Sequence, residues 1–108
     1  MVIEWLQFWV QEDLREQFVQ LDEEIWTAAL SQYSGFLGKE VWISSDNLNE
    51  VIAVIRWDST DSWYSIPQAD LQTIDAEFTD AMGSGTFNLL DSKPYQIRKF
   101  LSSSPPAT

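Results

Sequence analysis

The stretch that most restricts the fold is Glu50–Ser59, Glu-Val-Ile-Ala-Val-Ile-Arg-Trp-Asp-Ser. Successive side chains of a strand point to opposite faces, and this run of β-branched and apolar residues suits a strand covered on both. Val51, Ala53, Ile55 and Trp57 fall on one face; Ile52, Val54 and Arg56 fall on the other. A chain of 108 residues makes one domain and has only a few helices to offer. Its helices can cover one face of a sheet. The second face needs another chain.

Val2–Val10 reads as a companion strand, with Val2, Leu6, Phe8 and Val10 on one side and Ile3, Trp5 and Trp9 on the other. Glu4 interrupts it and reads as an edge-exposed or Arg-paired carboxylate. Asp13 with Glu16 has the spacing of a capping box and predicts a helix start. Leu14, Phe18, Leu21, Ile25 and Ala28 then form an apolar stripe, with Asp22 and Trp26 on its flank, and Gly35 is the natural stop. Val41 and Ile43 alternate with Glu40 and Trp42 in Lys39–Ser44. The turn formers Ser45-Asp46-Asn47-Leu48-Asn49 join that strand to Glu50–Trp57 as a hairpin. Ser59 predicts the cap of a short helix through Trp63 and Tyr64, ended by Pro67. Leu71, Ile74, Phe78 and Met82 place a second long helix over Ala69–Met82, before Gly83. Phe87–Pro94 has no clear period. Tyr95–Leu101 reads as the last strand, closing a single domain over residues 1–101, and the Ser/Pro-rich residues 102–108 as a loose tail.

Strand, helix, strand, strand, helix, strand is the βαββαβ order of the ferredoxin-like α+β fold, an antiparallel four-stranded sheet with its helices on one face. Its first and third strands are central, and here they are the two most apolar. The uncovered face would present Ile3, Trp5, Trp9, Ile52 and Val54, an apolar patch larger than a soluble monomer usually leaves open. Two such faces packed together make a symmetric homodimer with a barrel-like centre, a dimeric α+β barrel, with these five residues as its interface.

Seventeen acidic residues against six basic ones give a net charge of −11, which repels phosphate backbones and argues against nucleic-acid binding. The chain has no Cys and no His. That removes disulfides, Cys/His zinc sites, catalytic thiols and imidazole bases. The carboxylates of the second long helix have no spacing that picks out a metal set, so neither a metal nor a cofactor is expected. No apolar run is long enough to span a bilayer and no basic region precedes the first apolar stretch, so a soluble cytoplasmic protein with no membrane partner is expected. Six Trp residues are too many for so small a core to hide, and some should line a pocket or an interface.

Gly35-Phe36-Leu37-Gly38 entering one strand, with Arg56-Trp57-Asp58-Ser59 closing the next, resembles the antibiotic biosynthesis monooxygenase-like group, whose members are dimeric α+β barrels. Val2-Ile3-Glu4-Trp5-Leu6, Glu24-Ile25-Trp26-Thr27, Gly38-Lys39-Glu40-Val41-Trp42 and Ile66-Pro67-Gln68 resemble one small branch of it, over roughly Val2 to Met82. The resemblance implies the fold and assigns the branch no activity. In oxygenases of the group, aromatic substrates sit between helices and sheet, and a Trp closing the third strand belongs to the site. Trp57 matches that position. Members that degrade haem ligate iron through a helix His, which this chain lacks.

Two readings follow. One is a cofactor-independent monooxygenase-like enzyme acting on a small aromatic substrate, with Trp26, Trp57 and Trp63 as walls and Asp22 and Arg56 as polar anchors. The other is a non-catalytic dimer that binds a small aromatic or apolar ligand or serves as an accessory protein. Against both stand plainer roles: Trp57 as a core plug, and Arg56 paired across strands with Glu40 or Glu4.

Overall fold

The computed structural model describes residues 1–99. Four antiparallel strands, β1 (Val2–Val10), β2 (Phe36–Ile43), β3 (Glu50–Trp57) and β4 (Phe87–Gln96), form one sheet in the order β2-β3-β1-β4. The expected ferredoxin-like topology is present, and the two most apolar strands are the central ones. Between β1 and β2, the stretches Arg15–Leu21, Asp22–Thr27 and Ala28–Leu30 run on as one helix, α1, whose middle stretch is a π-helix. A short helix α2 (Thr60–Tyr64) and a long helix α3 (Gln68–Met82) separate β3 from β4. Among the described residues no helix is long and apolar enough to cross a membrane.

Several local expectations hold. The Ser59 hydroxyl accepts a hydrogen bond from the Ser62 backbone N–H and caps α2. Gly83, at φ +98°, ends α3. Gly35, at φ +92°, lies so close to Ser62 and Asp58 that any Cβ there would overlap them, so the turn into β2 requires glycine twice over.

Others are corrected. Asp13 makes no capping bond and lies in a 3₁₀ turn, Glu12–Leu14, that precedes α1. The strand expected at Lys39–Ser44 begins earlier, at Phe36, because a register shift at Phe36/Gly38 lets the turn residues join the ladder. The last strand is Phe87–Gln96, so of the described residues of the expected Tyr95–Leu101 only Tyr95 and Gln96 belong to it. Its pattern is obscured by a bulge opposite Gln7/Phe8 and by Pro94, which an edge strand tolerates. Leu101 and the expected tail at 102–108 lie outside the described residues.

The helix-covered side has a core in two pieces. Val2, Leu30, Ile55, Trp57 and Ile66 form one; Val10, Phe18, Val51, Phe78 and Met82 form the other. In the second, Phe18 and Phe78 meet edge to face at 5.2 Å, and each packs on Phe87. The space between the two pieces is a cavity.

Candidate functional site

Strand register determines which side chains reach that cavity. Glu4 (β1) is opposite Ile55 (β3), and Ile55 is opposite Lys39 (β2), so the three form one row across the helix-facing side of the sheet. Leu6, Phe8 and Ala53 continue the floor. The roof comes from α1 and α3, with Trp63 and Ile66 at one end. Exposed Asp75 of α3 and Leu89 and Ser92 of β4 mark a mouth between that helix and the edge strand. The volume is about 410 Å³, within the range of small-molecule sites.

From α1, Phe18, Asp22, Trp26 and Leu30 all line the cavity at intervals of four. In a regular α-helix a step of four overshoots one turn by about 40°, so a row this long drifts off the face. The π-helical turn Asp22–Thr27 takes more residues per turn and reverses the drift. Asp22 and Trp26, expected on the flank of the stripe, are thereby brought to its centre, while Ala28 is turned out to solvent. No periodicity rule signals this, because the apolar pattern is compatible with an unbroken α-helix.

Two almost fully buried charged side chains meet here. Lys39 Nζ lies 2.6 Å from Asp22 Oδ2, with the two side chains 4% and 5% exposed. Burial raises the Asp22 carboxyl above its ordinary pKa against the opposing pull of Lys39, so the cost of desolvation exceeds the attraction. Glu4 is also raised, by burial first, against a hydrogen bond from Trp57 and the field of Lys39.

Of the five expected ligand residues, the structure brings Asp22, Trp26 and Trp63 together in the cavity. Trp57 and Arg56 do not line it. Trp57 is fully buried in the core, edge-on to Phe36, and its indole Nε1–H donates to Glu4 Oε1 at 3.3 Å. It supports the site from behind. Arg56 points to the other sheet face and pairs with Glu40 at 3.1 Å, because strand alternation sends it away from Ile55 and Trp57. Glu4, expected at an edge or beside an Arg, is held by Trp57 in a central strand. Lys39 was not expected at all. Its signal was available in the row Lys39–Ile55–Glu4, which becomes visible only once strand register is known.

On the helix-free face, Ile52 and Val54 are already buried, though among the described residues no helix crosses them. Trp5 is opposite Val54 and Trp42 opposite Ile52. Lys93 Nζ sits 5.2 Å from the centre of the Trp5 ring, and Trp42 Nε1–H donates to Glu40. Trp9 and Trp42 remain exposed.

Comparison with known proteins follows the same lines. The family model described as antibiotic biosynthesis monooxygenase matches residues 1–70. No curated protein matches the chain. Among solved structures, SnoaB of Streptomyces nogalater, described as a cofactor-independent oxygenase, superposes with a TM-score of 0.69 at 14% identity, over 94% of this chain and 97% of that one. A monooxygenase of Streptomyces coelicolor, in complex with nanaomycin D, gives 0.68 at 16% identity, over 95% and 92%. A conserved protein of Methanosarcina mazei gives 0.62 at 14%, over 88% and 90%. At these identities the likenesses establish the fold.

Proposed function

The chain belongs to the antibiotic biosynthesis monooxygenase family, and from that premise we propose that it is a homodimeric, cofactor-independent oxygenase that holds a small aromatic substrate between its helices and sheet. The observation that carries this reading is the cavity of about 410 Å³, walled by Trp26, Trp63 and phenylalanines around the Asp22–Lys39 pair. Apolar walls with a few convergent polar groups are what an aromatic ligand needs for both affinity and orientation. Oxygenase chemistry without a bound cofactor draws its electrons from the substrate. The site's tasks are then to orient an electron-rich ring, take up a proton and keep bulk water out. With no His or Cys in the chain, proton handling in the cavity falls to Glu4, Asp22 and Lys39, with Asp75 at the mouth.

The homodimer is supported by the helix-free face, where Trp5, Trp9 and Trp42 form an aromatic layer over Ile52 and Val54, with Ile3 beside them. Two copies packed through this layer cover it. Sedimentation at micromolar concentration is expected to give the dimer mass; a persistent monomer would remove this part of the reading.

A second reading, a ligand-binding dimer without catalysis, is favoured by one observation. Trp57, which the family resemblance assigns to the site, is sealed in the core. The two readings separate in one experiment. Aromatic, quinone-like and tetrapyrrole compounds are screened by intrinsic Trp fluorescence, and those that bind are tested for oxygen uptake. Binding with uptake supports the oxygenase, and binding without it the second reading. No response from any compound would overturn both.

A further inference from the structure

Lys39 and Asp22 satisfy each other's charge within the cavity. Among the described residues Glu4 has no such partner. One of its oxygens, Oε1, takes the Trp57 Nε1–H at 3.3 Å. The other receives no hydrogen bond among the described residues, and Glu4 lines the cavity while its anchor Trp57 does not. Glu4 and Lys39 are separated by the whole of β3, about 10 Å between backbones at the usual strand spacing. The Lys39 ammonium is engaged overhead by α1 and does not neutralise Glu4 by contact. With Asp75 at the mouth, the cavity holds three carboxyl groups against one ammonium.

We propose that Glu4 is the specificity-determining residue of the cavity: its free oxygen selects an uncharged aromatic molecule bearing an O–H or N–H donor, and the surplus of carboxyl groups turns aromatic carboxylates away. The inference rests on the reading of the cavity as a ligand site. Trp57 is the positioning residue, since its bond leaves one Glu4 oxygen facing the ligand. Burial raises the proton affinity of this carboxyl, which makes it a stronger acceptor than an exposed one. A donor-bearing ligand satisfies the oxygen. A ligand of equal size without a donor leaves it desolvated and unmatched, the costlier of the two states.

The test uses three probes of one ring system, 1-naphthol, 1-methoxynaphthalene and 1-naphthoate, titrated into the full-length protein by calorimetry. 1-Naphthol is expected to bind about tenfold or more tighter than the methoxy compound, with naphthoate weakest. Glu4→Gln keeps an oxygen for Trp57 and turns an NH₂ group toward the ligand. In that variant the preference for naphthol over methoxynaphthalene is expected to vanish while both still bind. If naphthoate is the tightest probe, if naphthol and methoxynaphthalene bind wild type equally, or if Glu4→Gln leaves the preference intact, the role of Glu4 is overturned and the cavity remains a ligand site. If none of the three binds wild type, the cavity reading itself falls, and this proposal with it.

Discussion

Lys39 and Glu40 are consecutive residues of β2, and each forms an ion pair, yet the two pairs belong to different physical regimes. Lys39 turns under α1 and meets Asp22 where both side chains are almost fully buried. Glu40 turns to the helix-free face and meets Arg56, with 46% and 35% of their side chains exposed. Strand alternation alone separates them. On the covered face the pair is surrounded by Trp and Phe, each partner is indispensable to the other, and together they cost desolvation energy. On the free face water screens the pair and holding two long side chains offsets most of the attraction. A charge that is costly to keep, placed in a cavity, is the better marker of function.

Breaking the buried pair should have the largest effect. Asp22→Ala leaves the Lys39 ammonium buried and unpaired and is expected to lower the unfolding free energy by about 3–5 kcal/mol in a urea titration. The double variant Asp22→Leu with Lys39→Met should return close to wild-type stability, because the polar cost disappears with the pair. A loss below about 1 kcal/mol in Asp22→Ala would show that water reaches the pair and would erase the contrast between the faces.

The free face should respond through association. Trp9, 37% exposed in the single chain, becomes an interface anchor in the proposed dimer. Trp9→Asp is expected to weaken self-association by about 2–4 kcal/mol, roughly 30- to 700-fold in the dissociation constant, as read by sedimentation across a dilution series. Unchanged association would place the dimer contact elsewhere.

Glu4 sharpens the comparison through pH. Its folded-state carboxyl lies above the ordinary 4.5, so the folded chain holds a proton where the unfolded chain has lost it. The stability tied to this group is fully present below the ordinary value and declines as pH rises through the raised one. Glu4→Gln removes that dependence. It should be more stable than wild type at neutral pH, with the gap closing on acidification towards pH 4. A gap that widens in acid would mean that the Trp57 bond and Lys39 outweigh burial.

The smallest effect belongs to Arg56→Gln, expected to cost less than about 1 kcal/mol in the Trp9→Asp background, a cost that added salt diminishes further. The same salt should leave the Asp22→Ala deficit nearly unchanged.

Much of the architecture was legible in the chain. The two-faced runs Val2–Val10 and Glu50–Trp57 marked the central strands, and Ser59, Gly35 and Gly83 marked ends and turns through their own backbone chemistry. β4 was not legible, because a bulge and Pro94 break the alternation that identifies a strand. Asp22, Trp26 and Trp63, conspicuous in sequence as ionisable or large aromatic groups on otherwise apolar elements, do line one cavity. The Lys39–Asp22 pair and the Trp57–Glu4 bond were missed, because each joins residues far apart along the chain.

Local rules, the period of apolar side chains and the backbone demands of Gly, Ser and Pro, determined which segments are strands and helices and that two strands have two apolar faces. They act over a few residues and can be read without a fold. Register and the π-helical turn decided the rest: that Lys39 faces Asp22 and Arg56 does not, that Trp57 anchors Glu4 instead of walling the cavity, and that the core is split to leave space. These are outcomes of packing between segments 17 to 53 residues apart, where the competition between desolvation and contact is settled only when the chain has closed on itself.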